Sequence, residues 1–305
     1  MPLADNFARH GLDHISPSQI AKFVASPSAW VETYLMNLNR AVGLRAYEGN
    51  CVEDALTQSF DRIAADNDMN NYDVLELQHD MQIEAEKSFD AKMEDIDSLI
   101  NRYSIAADVN DKYEINDRLE KHRILATQLE EMYSAKNREA SYDRICRKVE
   151  VGVPECIELF KRHGKPQAQV EVRWHMMLDK SSSFPILGYI DWLFPDGHIV
   201  DLKTARNIPA TLSLAHAFQA YVYMEAYEAE TMEFVYIGDR KREPVQSIFV
   251  YRDAKFRENE MIFRDAARKL GRMLRLSKKT LWTCLPQNPE SFYFNTPVIT
   301  DQERN

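Results

Sequence analysis

Residues 187–203 read Leu187-Gly188-Tyr189-Ile190-Asp191-Trp192-Leu193-Phe194-Pro195-Asp196-Gly197-His198-Ile199-Val200-Asp201-Leu202-Lys203. Pro195-Asp196-Gly197 is turn chemistry between two apolar runs, so the stretch reads as a β-hairpin. In its second strand side chains alternate: Asp201 and Lys203 share one face, Val200 and Leu202 take the other. Ile190, Trp192, Leu193, Ile199, Val200 and Leu202 imply a buried strand pair. Carboxylates buried there need a paired cation or a metal. Asp191, Asp201 and Lys203 therefore form a candidate divalent-metal hydrolase site, the competing reading being a surface hairpin with an ordinary Asp–Lys pair.

The chemistry suits phosphodiester hydrolysis, which needs an attacking water, a route for its proton and neutralisation of charge growing on phosphate oxygens. Magnesium takes hard oxygen ligands in near-octahedral geometry at about 2.0–2.1 Å and keeps positions for water and phosphate. Asp191 and Asp201 suit that role, and Lys203 can stabilise phosphate or orient the water. Glu171, in the alternating run Gln169–Trp174, is a further carboxylate that either supports the site or forms a salt bridge on an exposed strand face. His216, Gln219 and Tyr223 are spaced by three and four residues and lie along one helix face, either toward substrate and the metal shell or as a polar seam against the sheet.

Outward from the hairpin, strands begin near Gln169, with a turn at Ser181-Ser182-Ser183. A helix over 213–227, strands over 233–237 and 247–251, and a helix over 254–276 follow. That order predicts an α/β fold with a mixed central sheet flanked by helices. Upstream, Ser16-Pro17-Ser18-Gln19 has the form of a capping box opening a helix, and the apolar face continues across Pro27 through Trp30 and Tyr34. Val52, Leu56, Phe60 and Ile63 mark a helix over 47–65, with Glu53 at the edge of its apolar stripe. Residues 66–72 read as a loop, and 79–149 as two or three long helices forming a helical insertion or arm. The segment 286–297 reads as a surface strap.

The 305 residues, 45% of them hydrophobic, are ample for a sizeable core, and no run approaches the length of a membrane span. The first residues lack the basic start and apolar run of a secretory signal, so a location inside a cell is expected. Cys51, Cys146, Cys156 and Cys284 contain no CxxC pair and are too few for a disulfide scaffold. The net charge of −10 argues against a protein that coats nucleic acid non-specifically, though a basic patch can sit on an acidic body. One such stripe is Arg264, Arg268, Arg272, Arg275 and Lys279, opposite the apolar Phe263, Ala267, Leu270 and Leu274. It reads either as a phosphate-backbone track or as a solvated face.

Taken together, these motifs resemble the PD-(D/E)XK nuclease superfamily, and within it the RecB-like exonuclease branch. Gly188-Tyr189-Ile190-Asp191 resembles the family's Gly-x-x-Asp, and Ile199-Val200-Asp201-Leu202-Lys203-Thr204 its Asp-x-Lys strand. Gln219 and Tyr223 match the downstream Gln-x-x-x-Tyr motif, and His216 its His-x-x-Gln form. The upstream Gly-x-x-x-His element appears as Gly49-Asn50-Cys51-Val52-Glu53, with Glu in the His position, as in viral relatives. Iron–sulfur members carry a Cys before the early proline; here Ser26 stands there and no C-terminal Cys cluster follows, so no iron–sulfur cluster is expected.

The resemblance implies a restriction-endonuclease-like fold: one nuclease domain over 1–305, with 79–149 as the helical insertion. It implies a Mg²⁺- or Mn²⁺-dependent deoxyribonuclease with Glu53, Asp191, Asp201 and the Leu202 carbonyl around metal, Lys203 on water or phosphate, and Gln219 and Tyr223 orienting substrate. The expected activity is an exonuclease of DNA processing or recombination acting on DNA with an accessible end, phage or phage-derived and so in the cytoplasm of a cell or host. Recombination or replication proteins and a second copy of the chain are expected as partners, and no membrane is. The alternatives are a DNA endonuclease and an inactive DNA-binding or assembly protein.

Overall fold

The computed structural model describes residues 3–36, 38–40, 42–65, 73–109, 116–179, 182–239, 244–285 and 298–300. The expected loop 66–72 and strap 286–297 lie outside the described residues. Ser16 ends the N-terminal segment that follows α1 (Leu3–His10), and its hydroxyl accepts the Gln19 N–H at 3.2 Å to start α2 (Pro17–Ala25). The capping box is only half made, because the Gln19 Oε1 has no hydrogen-bond partner among the described residues. Ser26 both ends α2 and caps α3 (Pro27–Tyr34), which places Trp30 in the core.

A short strand β1 (Leu38–Arg40) precedes α4 (Leu44–Ala65), the helix that carries Glu53. Then come α5 (Val74–Val109), α6 (Asn116–Met132) and α7 (Ala135–His163). Three strands follow: β2 (Gln167–Asp179), β3 (Ser182–Leu193) and β4 (Ile199–Ala205). The chain continues through α8 (Leu214–Ala226), β5 (Thr231–Gly238), β6 (Val245–Tyr251), α9 (Ala254–Met273), α10 (Lys278–Cys284) and β7 (Val298–Thr300). Ser182 and Ser183 already pair with Asp179 and Met177, so the serines expected in a turn open β3 instead.

The main sheet has the order β2-β3-β4-β5-β6; β4 and β5 run parallel and the other neighbours antiparallel. β1 and β7 form a separate antiparallel pair. Alternation along the strands sends Val200, Leu202, Val235 and Ile237 to one apolar cluster, with Val52, Leu56 and Phe60 of α4 and Val149 and Val153 of α7. Ile199, Phe234 and Tyr236 join the opposite cluster, with α2, α8 and α9. The result is a mixed sheet between two helical layers, as the order of elements predicts. The helices α5 and α6 extend the first cluster outward through Met81, Phe89 and Leu129.

A buried charge network fixes the start of α4. The Glu48 carboxylate is fully buried and accepts from Ser141 at 2.9 Å and from Arg144 Nε at 3.1 Å. Arg45 bridges Glu48 and Asp239, and the buried Lys148 lies 3.1 Å from Asp239 and 3.8 Å from Glu48. Next to it Gly49 meets β4 closely: a Cβ there would lie 3.0 Å from Thr204 Oγ1. Small size at Gly49 lets α4 approach the strand that carries Asp201.

Candidate active site

The site lies where β3 and β4 part. Their ladder covers only Trp192↔Val200 and Leu193↔Ile199, next to the Pro195–His198 turn. Asp191 and Asp201 are the next residue on each strand. Because the strands separate, the Leu202 N–H has no partner on β3, and the Asp191 Oδ2 accepts it at 2.8 Å. β3 also turns over at this point: Ile190 packs in the α8-side cluster and Trp192 in the α4–α7 cluster. Asp191 thus stands at the seam between the two cores, only 8% exposed, and Asp201 is fully buried.

Lys203 forms a close ion pair with Asp201 Oδ2, whereas the Asp201 Oδ1 has no hydrogen-bond partner among the described residues. Burial raises the Asp191 carboxyl to about 6; the nearby Glu53 charge raises it too, against Lys203. Burial raises Asp201 further, to about 7, with Asp191 adding to the effect. Glu53 is also raised, chiefly by burial. Burial pulls Lys203 down, but Asp201, Asp191 and Glu53 together hold its ammonium above the usual lysine range. These are one set of interacting charges, with three acidic groups near one cation.

Glu53 enters from α4. Its carboxylate accepts from the Gln169 side chain, which also donates to Asp191 Oδ1 at 3.3 Å. Tyr223 enters from α8 on the other face; its hydroxyl accepts the Tyr189 N–H at 3.3 Å, and Gln219 lies beside it. Burial and the Asp201 and Asp191 charges raise the Tyr223 phenol, which stays protonated. His216 stacks on Phe234 and hydrogen-bonds the Tyr236 hydroxyl at 2.5 Å. Burial and the nearby Lys203 charge lower His216 to about 4, so it is neutral at pH 7.

Gly188 explains the fit of Tyr223. A Cβ at Gly188 would lie 2.7 Å from Tyr223 Cε1. Gly188→Ala is expected to cost about 1–3 kcal/mol in urea melts through overpacking. Adding Tyr223→Leu should give a total below the sum of the two single losses, because the clash is gone. Simple addition of the two would show that Gly188 and Tyr223 do not interact.

The structure thus brings Glu53, Asp191, Asp201, Lys203, Gln219 and Tyr223 to one gap, with His216 at its α8 side. Leu202 lies between Asp201 and Lys203 on the same strand. Glu171 is placed apart: it is tied to Arg173 and lies 3.4 Å from the Tyr189 hydroxyl on an exposed strand face. The basic stripe is broken as well. Arg264, Arg268 and Arg272 lie on α9, but Arg275 follows that helix and Lys279 belongs to α10, because the Ser277 hydroxyl caps a new helix by accepting the Thr280 N–H. Arg264 is engaged with Glu260 at 2.8 Å and with the Met177 carbonyl at 3.0 Å.

Two members of the site have no sequence motif. Tyr236 faces Lys203 across the parallel pairing of β4 with β5, a relation readable only once that pairing is assumed. Gln169 carried no signal, since alternation alone groups it with Glu171 and Arg173.

A divalent metal suits the donor set: three carboxylates supply hard oxygens, and the buried, unpartnered Asp201 Oδ1 is an oxygen in need of a cation. As the side chains stand, no three His, Cys, Asp or Glu side chains among the described residues form a closed metal cluster. Gln169 is bonded to both Glu53 and Asp191, and Lys203 covers Asp201. Among the described residues Cys51, Cys146 and Cys156 are free thiols, with Cys51 and Cys156 buried.

A family model described as the PD-(D/E)XK nuclease superfamily matches residues 14–284. No curated protein is significantly similar to the chain. Among solved structures, the protein SSO0001 is similar with a TM-score of 0.32 and 16% identity, over 52% of this chain and 69% of that one. A protein from Eubacterium rectale, provisionally described as an exonuclease, gives a TM-score of 0.34 and 15% identity over 63% and 73%. No described helix is long and apolar enough to cross a membrane.

Proposed function

The chain belongs to the PD-(D/E)XK nuclease superfamily, and from that premise we propose that it is a divalent-metal-dependent DNA exonuclease of the RecB-like branch. The observation that carries the reading is the fully buried Asp201, with one oxygen unpartnered and Lys203 on the other, facing Asp191 across the parted strands. Three carboxylates crowded near the one Lys203 ammonium leave negative charge that a bound cation would offset. Glu53 in the Gly-x-x-x-Glu element supports a phage-derived member acting in DNA processing or recombination. The helices over 79–149 are read as an insertion within one nuclease domain.

Glu53, Asp191 and Asp201 would hold Mg²⁺ or Mn²⁺, with the Leu202 carbonyl as a further ligand. When bound, the cation supplies Lewis-acid stabilisation of the phosphate and a more acidic water. The chain's own contribution is orientation and charge. Asp191 is fixed by the Leu202 N–H. Lys203, held protonated by the carboxylates around it, is placed to neutralise a phosphate oxygen or orient the attacking water. The Tyr223 hydroxyl, anchored at the Tyr189 backbone, and the adjacent Gln219 line a cleft with His14, Ser16, Ser18 and Gly188. That cleft is where the substrate strand would be positioned.

The purified chain should shorten linear DNA in the presence of Mg²⁺ or Mn²⁺, stop on addition of chelator and spare an intact duplex circle. Nicking or linearising the circle as the main reaction would instead make it an endonuclease. DNA binding without cleavage under any divalent metal would make it an inactive binding protein.

A further inference from the structure

Two non-glycine residues among those described have positive φ. Glu228 lies in the turn after α8, where such a backbone is ordinary. Gln169 lies inside β2, at φ 49°. A glutamine in a strand adopts this conformation only when its surroundings over-determine it. The ladder lapses at the same place: Ala168 pairs with Trp192 and Val170 with Ile190, but Gln169 and Asp191 between them do not pair. What Gln169 gains is its side-chain contacts. Its Nε2 donates to Glu53 and, at 3.3 Å, to Asp191 Oδ1, joining a carboxylate from α4 to one from β3. An amide nitrogen has two hydrogens and no charge. It can therefore serve two carboxylates without competing as a cation, unlike a lysine, and without repelling them, unlike a glutamate.

We propose that Gln169 is a positioning residue of the metal-binding site, whose left-handed backbone aims its amide so that Glu53 and Asp191 are held facing one another, ready to accept a divalent cation. It is not itself a ligand. The Asp191 Oδ1 that accepts from Gln169, and the Oδ2 that accepts from Leu202, each keep a lone pair for metal. The inference rests on the nuclease reading above.

The test is Gln169→Gly in the full chain, because glycine accepts this φ without strain and only the amide is lost. Mn²⁺ affinity from titration calorimetry should weaken by about 10–100-fold, the usual loss when a partner of a ligand is removed. The Mn²⁺ concentration giving half-maximal cleavage of linear DNA should rise by the same factor. Cleavage lost at low Mn²⁺ should return as Mn²⁺ is raised, and KM for DNA should change less than the Mn²⁺ requirement. Wild-type Mn²⁺ affinity, or a lost rate at unchanged affinity, overturns the proposal. Asp201→Asn, measured alongside, separates the two readings. If it too binds Mn²⁺ and cleaves like wild type, the nuclease site is wrong; if it fails while Gln169→Gly is unaffected, only the role of Gln169 is wrong. Should the glycine variant not fold, Gln169→Asn gives the same test, since asparagine tolerates the left-handed region and its shorter amide cannot span both carboxylates.

Discussion

Asp201→Asn should reduce metal-dependent cleavage by at least about 10²–10³-fold while the far-UV circular dichroism is retained, since an anionic ligand assigned to the metal that stabilises the phosphate is lost. The substitution keeps the shape of a fully buried side chain and removes the charge that burial penalises. Lys203→Ala should lower turnover by a similar factor yet leave Mn²⁺ binding nearly intact, because the lysine is assigned to phosphate or water. Titration calorimetry with Mn²⁺ beside a linear-DNA cleavage assay separates the two. Unchanged cleavage in both variants would remove this site from consideration.

Glu48→Gln should give the largest loss of stability. Glu48 is fully buried beside Arg144 and Lys148, with Arg45 at the rim. The neutral variant leaves these cations with Asp239 as their remaining acidic partner in the network. Removing one partner of a buried ion pair costs about 3–5 kcal/mol. Urea unfolding measures this, and a loss below about 1 kcal/mol would show the network to be solvated. Adding Lys148→Met should recover part of the loss by removing the orphaned charge.

The same network has a pH signature. Burial pushes the Glu48 carboxyl up, but hydrogen bonds from Arg144 and Ser141 and the Arg144 and Arg45 charges outweigh it, and the net pKa is below 4.5. A folded pKa below the unfolded one gives stability that is present above pH 4.5 and is lost as the pH falls through the folded value. Acid unfolding of wild type should therefore steepen below pH 4.5, and that part of the slope should be missing in Glu48→Gln.

The sheet and the heart of the site were legible because they follow from local pattern. Alternation placed Asp201 and Lys203 on one face, Pro195-Asp196-Gly197 closed the hairpin, and the apolar spacing of 47–65 set the helix that carries Glu53. That Glu53 joins the hairpin followed only from resemblance, since no local rule links α4 to β3. Gln169 could not be read because its role comes from a backbone conformation that glutamine does not advertise. The spacing of the basic stripe continues in the sequence through Arg275 and Lys279, whereas α9 ends at Met273 and the Ser277 cap begins a separate helix.

The order of the site's parts along the chain also bears on how it is made. Asp191 and Leu202 are 11 residues apart, whereas Gln169 and Glu53 are 116 apart. For a flexible chain, closing the longer loop costs roughly 2 kcal/mol more in entropy than closing the shorter one. The hairpin half of the site can form early and alone. Glu53 instead depends on the long-range packing of α4 and α7 against the sheet. Loosening the packing of α4 on the sheet is therefore expected to remove Glu53 from the candidate site while Asp191 and Asp201 stay together on their hairpin.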